Sequence, residues 1–138
     1  MKGAYEHTVD AKGRMFVPAR LRDALGDRFT VTKGLDGCIA AYPAAEWDAL
    51  EAKIRALPMS KARDLQRFFF AAAADVELDS QGRILLPAGL RRYAGIEREV
   101  VVIGAAAHAE IWDAARWEAY SGAITDDRIA AAMEDIGF

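Results

Sequence analysis

The chain has 138 residues and a mass of 15.1 kDa, enough for one ordinary domain or for two small units that share a core. Its composition, 53% hydrophobic and 28% charged, is that of a soluble globular protein; no apolar run approaches the roughly 18 residues of a membrane span, and Met1–His7 lacks the apolar core of a secretory signal, so no membrane association and a cytoplasmic location are expected. A net charge of −3 argues against a protein that coats nucleic acid through bulk positive charge.

The charge is unevenly placed. Residues 1–22 hold Lys2, Lys12, Arg14, Arg20 and Arg22 against Glu6 and Asp10, whereas residues 110–138 hold seven carboxylates against Arg116 and Arg128. The acidic end masks a basic one. Cys38 is the single cysteine, which excludes an internal disulfide, and it reads as a small half-buried apolar residue.

From Asp10 onward the chain repeats itself. Asp10–Gly26 set over Asp79–Gly95 matches without a gap at eight of 17 positions: Asp10/Asp79, Gly13/Gly82, Arg14/Arg83, Pro18/Pro87, Ala19/Ala88, Leu21/Leu90, Arg22/Arg91 and Gly26/Gly95. After one inserted residue the match resumes, with Gly34 on Gly104, Tyr42 on Trp112 and Trp47 on Trp117. A whole unit is duplicated.

In each copy Asp, two polar residues and Gly form a turn, because the Asp side chain bonds its own downstream backbone and Gly accepts positive φ. Asp10, Gly13, Asp79 and Gly82 are therefore assigned as turn-forming residues. The apolar runs Met15–Val17 and Ile84–Leu86 follow as short strands ending at a proline. Pro18 and Pro87 then open helices over Ala19–Leu25 and Ala88–Ala94, with Gly26 and Gly95 as C-terminal caps. Phe29–Thr32 and Val100–Ile103 read as strands, with Cys38–Tyr42 and His108–Trp112 as hairpin partners. Helices follow over residues 43–57, with Trp47, Leu50, Ile54 and Leu57 in one stripe, and over 113–120, capped by Asp113; Pro58 stops the first. Ser60 caps a further helix through about Ala74 that carries Leu65, Phe68, Phe69 and Ala72 on one face, so the connector is structured. The Phe68–Phe70 run reads as core or subunit interface rather than a stacking platform for bases. A last helix, Thr125–Ile136, lines up Ile129, Met133 and Ile136, a stripe that needs a partner surface. The expected units are 5–47 and 76–119, with a helical connector over 48–75 and a C-terminal helix over 120–138.

The chemistry-bearing residues point away from catalysis. The repeat-related aspartates evoke a carboxylate dyad, but each has an arginine four residues later that would keep it ionised, and a turn-forming role fits better. His7, His108 and Cys38 lack the spacing of a metal site, and there is no phosphate-binding glycine loop or nucleophile elbow. No enzyme activity, metal or cofactor is expected. What stands out is an arginine fixed just after a tight turn, twice. Its planar fork suits guanine O6 and N7 in the major groove, worth roughly 1–3 kcal/mol of discrimination per good pair, with Lys12 and Arg20 placed to hold phosphates. The other reading is that Arg14 and Arg83 each bridge their own turn Asp as a solvated pair contributing little. The residues leave both open.

The segments Tyr5–Arg14, Gly34–Cys38, Tyr42-Pro43 and Glu110–Asp113, with the doubled Asp-x-x-x-Arg signature, resemble the MraZ family of bacterial regulators over residues 1 to about 120. The resemblance implies an α+β, β-rich fold: two tandem SpoVT-AbrB-type units, each a swapped-hairpin β-barrel, with intervening and C-terminal helices. It also implies a repressor, assembled as a ring-shaped homo-oligomer, that binds double-stranded DNA at direct repeats upstream of the division and cell-wall gene cluster, its own promoter included, and associates with the nucleoid. The family motif falls on Asp10 and Arg14 and on Asp79 and Arg83, with Lys12 as phosphate support. Arg14, Lys12, Arg83, Arg20 and Lys2 are the expected DNA contacts. Gln81 and Gly89 stand where the first copy has Lys12 and Arg20, so the N-terminal copy is expected to supply most of the contacts. A ring of basic faces would offset the net charge through avidity.

Two alternatives stand beside this. An oligomeric interaction scaffold would use Trp47, Phe68–Phe70 and Ile129–Ile136 and leave the arginines idle. An antitoxin-like relative would carry a disordered neutralising tail, against which the structured duplication argues.

Overall fold

Burial alternates residue by residue along Ala4–Thr8 (β1), with Tyr5 and His7 turned inward, the signature of a strand with one covered face. The computed structural model describes residues 1–137. In it β1 runs into the turn at Asp10–Gly13 and returns as Arg14–Phe16 (β2). Pro18 then opens helix Ala19–Leu25 (α1), which ends at Gly26 with φ 82°. Arg28–Lys33 (β3) and Ile39–Tyr42 (β4) form a hairpin around a single 3₁₀ turn at Leu35–Gly37, and helices Ala44–Arg55 (α2) and Met59–Phe69 (α3) follow.

The second copy repeats the series as Ala74–Glu77 (β5), Arg83–Leu85 (β6), Ala88–Ala94 (α4), Glu99–Ala105 (β7), His108–Asp113 (β8) and Ala114–Gly122 (α5). Asp126–Met133 (α6) and a 3₁₀ turn at Glu134–Ile136 close the described chain; Thr125 caps α6 by accepting the Arg128 N–H.

The result is a mixed α+β protein dominated by one antiparallel sheet of six strands, in the order β1-β7-β8-β4-β3-β5, beside a two-stranded ribbon of β2 and β6. Its strands cross between the copies: β1 pairs with β7, β5 pairs with β3, and the ribbon takes one strand from each. The hairpins β3–β4 and β7–β8 meet in the middle of the sheet, Ile39 opposite Ile111. Neither half completes its own sheet, and the buried core runs through both, with Met15, Leu21 and Val31 from the first and Ile84, Leu90 and Val102 from the second. This answers the size problem of the sequence, since two small copies that interleave bury one shared core.

Both short helices lie where the repeat puts them. The connector differs from expectation. Pro58, not Ser60, opens α3, and Ser60 lies inside the helix with no capping bond; proline at that position brings its own helical φ and has no N–H to orphan. The helix ends at Phe69 rather than Ala74, because Ala74–Glu77 is taken as a strand by the exposed edge of β3. The preceding helix is also shorter than expected, ending at Arg55 ahead of Pro58. Of its expected stripe only Ile54 is fully buried, and Leu57 is exposed. The Phe68–Phe70 run is half-buried within the chain: Phe68 packs edge-on against Phe69, and Phe70 against Trp47. Cys38 is wholly buried, and its thiol is pushed up to about 12, by burial first and then by the nearby Glu110 charge. The last helix stops at Met133, short of the expected Ile136, which falls in the 3₁₀ turn; α6 buries none of its residues, and Ile129, Met133 and Ile136 are all exposed.

Candidate nucleic-acid interface

The two Asp-x-x-Gly-Arg turns are built alike. Asp10 Oδ1 accepts the backbone N–H groups of Lys12 and Arg14, each at 2.9 Å, while Oδ2 takes the Arg14 Nε at 2.8 Å. Asp79 does the same for Gln81, Arg83 and the Arg83 Nε, all at 2.9 Å. The glycines complete the reversal at φ 86° for Gly13 and 81° for Gly82, where other residues are strained. The Arg14 N–H above all, then its guanidinium and the Lys12 N–H, holds the Asp10 carboxyl below its ordinary value, and Arg83 and Gln81 do likewise for Asp79. These are ionised, acceptor-only carboxylates whose task is to fix the turn and the root of an arginine.

Each turn is also tied to the other copy. Val17 N–H donates to Gly82 O at 3.0 Å, and Leu86 N–H to Gly13 O at 2.8 Å. Arg22 donates its Nε to Val17 O and lays its guanidinium over Gly82; Arg91 donates to Leu86 O and lies over Gly13. A Cβ on Gly82 would stand 2.6 Å from the Arg22 guanidinium, and one on Gly13 3.0 Å from that of Arg91. Sequence reasoning missed Arg22 and Arg91 as partners of the turns, although both are among the eight identities of the repeat.

Between the turns lies the ribbon. Arg14 stands opposite Leu85, Met15 opposite Ile84 and Phe16 opposite Arg83. Because side chains alternate across a strand, Met15 and Ile84 point into the core, and Arg14, Phe16, Arg83 and Leu85 share the outer face. The arginines occupy one diagonal of this face and the apolar residues the other. Antiparallel pairing sets the turns at opposite ends. Among the described residues the terminal guanidinium nitrogens of Arg14 and Arg83 carry no intramolecular hydrogen bond.

The copies differ in detail. The Arg14 side chain is 36% exposed and that of Arg83 only 19%, the latter drawn over the Phe16 ring at 5.9 Å. Both arginines do bridge their own Asp, as the solvated-pair reading expects, but only through Nε, which leaves the end of each fork facing outward. Lys12 is exposed beside the first turn. Lys2 and Arg20 line a different groove, with Met1, Tyr5, Ala24 and Ala106. The structure thus gathers Arg14, Lys12 and Arg83 around the ribbon and turns, and sets Lys2 and Arg20 together elsewhere. Phe16 and Leu85 were absent from the sequence-derived site; the alternation that exposes them lay within runs too short to read by period.

Among the described residues no helix is long and apolar enough to cross a membrane, and no cluster of three or more His, Cys, Asp or Glu side chains is arranged to hold a metal ion.

A family model described as "MraZ protein, putative antitoxin-like" matches the chain twice, over residues 1–68 and 69–138. Similar proteins of nearly equal length include one from Acetivibrio thermocellus, 50% identical over 139 residues that cover 98% of this chain and 97% of the relative. Another, from Heliobacterium modesticaldum, is 54% identical over 136 residues, covering 97% and 92%. A third, from Moorella thermoacetica, is 48% identical over 138 residues, covering 99% and 96%. Each carries the name transcriptional regulator MraZ.

Proposed function

The chain belongs to the MraZ family, and on that premise we propose that it is a sequence-specific, DNA-binding transcriptional regulator rather than an enzyme. The observation that carries the reading is the outward ribbon face, on which two turn-anchored arginines stand on a diagonal with free guanidinium ends. The major groove of duplex DNA admits a two-stranded ribbon, and an arginine fork there bonds guanine O6 and N7 together. Anchoring through Nε lowers the entropy lost on binding, because the root of each side chain is already placed. Arg14 is the principal contact, with Lys12 on a phosphate; Arg83, more shielded and held over Phe16, contributes less. Lys2 and Arg20, in their own groove, serve flanking phosphates.

The finer reading is that of a repressor acting at direct repeats upstream of the division and cell-wall genes, its own promoter included, as a nucleoid-associated ring of identical subunits. Each subunit then carries two swapped-hairpin, AbrB-like barrel units, 5–47 and 76–119, joined by a connector at 48–75 and followed by the segment 120–138. The crossing of strands between the copies supports the swap. Exposed apolar side chains on α6, a helix without a buried residue, supply a surface for ring contacts. Several ribbons presented together on tandem repeats compensate for a net charge of −3 by effective concentration.

Fluorescence anisotropy with duplex DNA from upstream of the protein's own gene tests this. Arg14→Ala is expected to abolish the shift while sedimentation shows assembly unchanged, and Arg83→Ala to weaken binding less. Wild-type affinity should fall steeply with salt through counterion release. An Arg14→Ala protein that binds like the wild type would remove the turn from the interface and leave the interaction-scaffold reading, in which α6 and the aromatic surfaces matter instead.

A further inference from the structure

Resting on that DNA-binding reading, we propose that Phe16 and Leu85 read the 5-methyl groups of thymine, so that the ribbon selects sequence through an apolar diagonal as well as an arginine one. The two are large apolar side chains on an otherwise cationic face, and they are 45% and 59% exposed. Their strand neighbours Met15 and Ile84 are buried, so the ribbon already has its inner apolar face, and the outer pair adds nothing to the core. A surface that only held phosphates would have no use for them.

Their position names the occupant. Each stands directly across the ribbon from an arginine, Phe16 from Arg83 and Leu85 from Arg14, and directly opposite residues on such a pair have Cβ atoms about 4.5–5.5 Å apart. The partner is therefore anionic and presents apolar groups within one or two base steps of hydrogen-bond acceptors. On the floor of the major groove the thymine methyl is the apolar group that side chains contact, and guanine O6 and N7 are the acceptors an arginine takes. Because the pair is related by the same duplication as the arginines, the two methyl contacts belong to two positions placed symmetrically about the ribbon centre. The Arg83 guanidinium stands over the Phe16 ring at 5.9 Å, and Phe16 is still largely open to solvent.

The test can begin without a defined operator. Duplexes are selected from a random pool by the wild-type protein, and the enriched sequence is resynthesised with each thymine in turn replaced by deoxyuridine, which removes only the methyl group. Wild-type protein is expected to lose roughly fourfold in affinity at one or two positions per subunit site, the value of one apolar carbon withdrawn from water, and little elsewhere. A protein carrying Phe16→Ser and Leu85→Ser should bind thymine and deoxyuridine duplexes alike, while still responding to Arg14→Ala. Wild-type indifference to every replacement, or thymine preference retained in the double variant, overturns the inference and leaves DNA binding standing. Failure of the wild type to enrich any duplex overturns the DNA reading itself. Dissociation of the double variant into smaller species, with thymine preference kept, assigns the pair to a subunit contact instead.

Discussion

The first and second copies of the unit agree where the backbone is concerned and part where side chains face outward. Both turns hold the same bonds within a tenth of an ångström, and the glycine of each lies under an arginine from the other copy's short helix. Yet Lys12 corresponds to Gln81, a 36% exposed Arg14 to a 19% exposed Arg83, and half-buried Tyr42 to fully buried Trp112. Duplication preserves what the exchanged strands require of each other and frees the rest to specialise. The turn of the first copy is the more basic and the more exposed, which under the proposed function makes it the recognising one and the second copy the more anchoring.

The largest effect should fall on that anchoring side. Trp112 packs against Trp117 at 5.5 Å and Tyr120 at 5.0 Å, and its Nε1 donates to Glu110 Oε1 at 3.1 Å. Trp112→Ala empties this site and is expected to cost about 3–5 kcal/mol in urea denaturation at fixed protein concentration. Tyr42→Ala, in the matching but half-buried position against Trp47 at 5.7 Å and His108 at 5.2 Å, should cost roughly 1–2 kcal/mol. Equal losses would mean that the copies anchor alike.

The turn glycines should respond next. Gly13→Ala and Gly82→Ala each force a side chain into positive φ, for about 1–3 kcal/mol. The closer approach at Gly82, 2.6 Å against 3.0 Å, also displaces Arg22 from Val17 O, so Gly82→Ala should be the more costly of the two. Thermal denaturation of both variants checks the order, and a reversed order would place the tighter joint in the first turn.

A smaller effect tests recognition. Exchanging Lys12→Gln with Gln81→Lys leaves the net charge and both turn backbones intact, since these residues contribute only N–H groups to the aspartates. Lys12→Gln alone should lower the slope of log affinity against log salt by about 0.9 for each phosphate it ceases to neutralise, and Gln81→Lys alone should raise it by less. Equal and opposite changes would show that the two turns approach DNA equivalently, and the proposed inequality would fall.

Much of this is legible in the chain itself. The doubled Asp, Gly and Arg predict both turns, and Pro18 and Pro87 predict both short helices, because these residues act through local geometry that needs no partner. Most of the failures are non-local. Ala74 follows an aromatic helical stripe and reads as its end, and nothing local announces a strand there; only the unpaired edge of β3, contributed by the other copy, makes Ala74–Glu77 one. Likewise nothing within Asp79–Arg83 announces that Arg22 will lie over Gly82, although the identity of Arg22 with Arg91 marks both as under some requirement. Ser60 loses its expected cap to Pro58, where two local signals compete at nearby positions. The exposed pair Phe16 and Leu85 depends on pairing register, which three-residue strands do not reveal by themselves.

The smallest expected effect is also the strictest test of equivalence between the turns. Asp10 and Asp79 are both held below the ordinary carboxyl value of 3.8, each first by the N–H of the arginine four residues on. A group whose folded value is depressed stabilises the fold fully above its unfolded value and loses that contribution as pH falls through the folded one. The turns should therefore hold from neutral pH down to about pH 4 and loosen below it. Both carboxylates are open to solvent, so the stabilising contribution is modest and screened by salt. Following the Lys12, Arg14, Gln81 and Arg83 amide signals by NMR from about pH 5 to about pH 2 should give two transitions, both below the ordinary carboxyl value and close to each other. Asp10→Asn should remove the first transition without moving the second. If instead the Asp79 transition shifted with Asp10→Asn, the turns would be coupled through the ribbon, and the acid response would belong to the pair rather than to either copy.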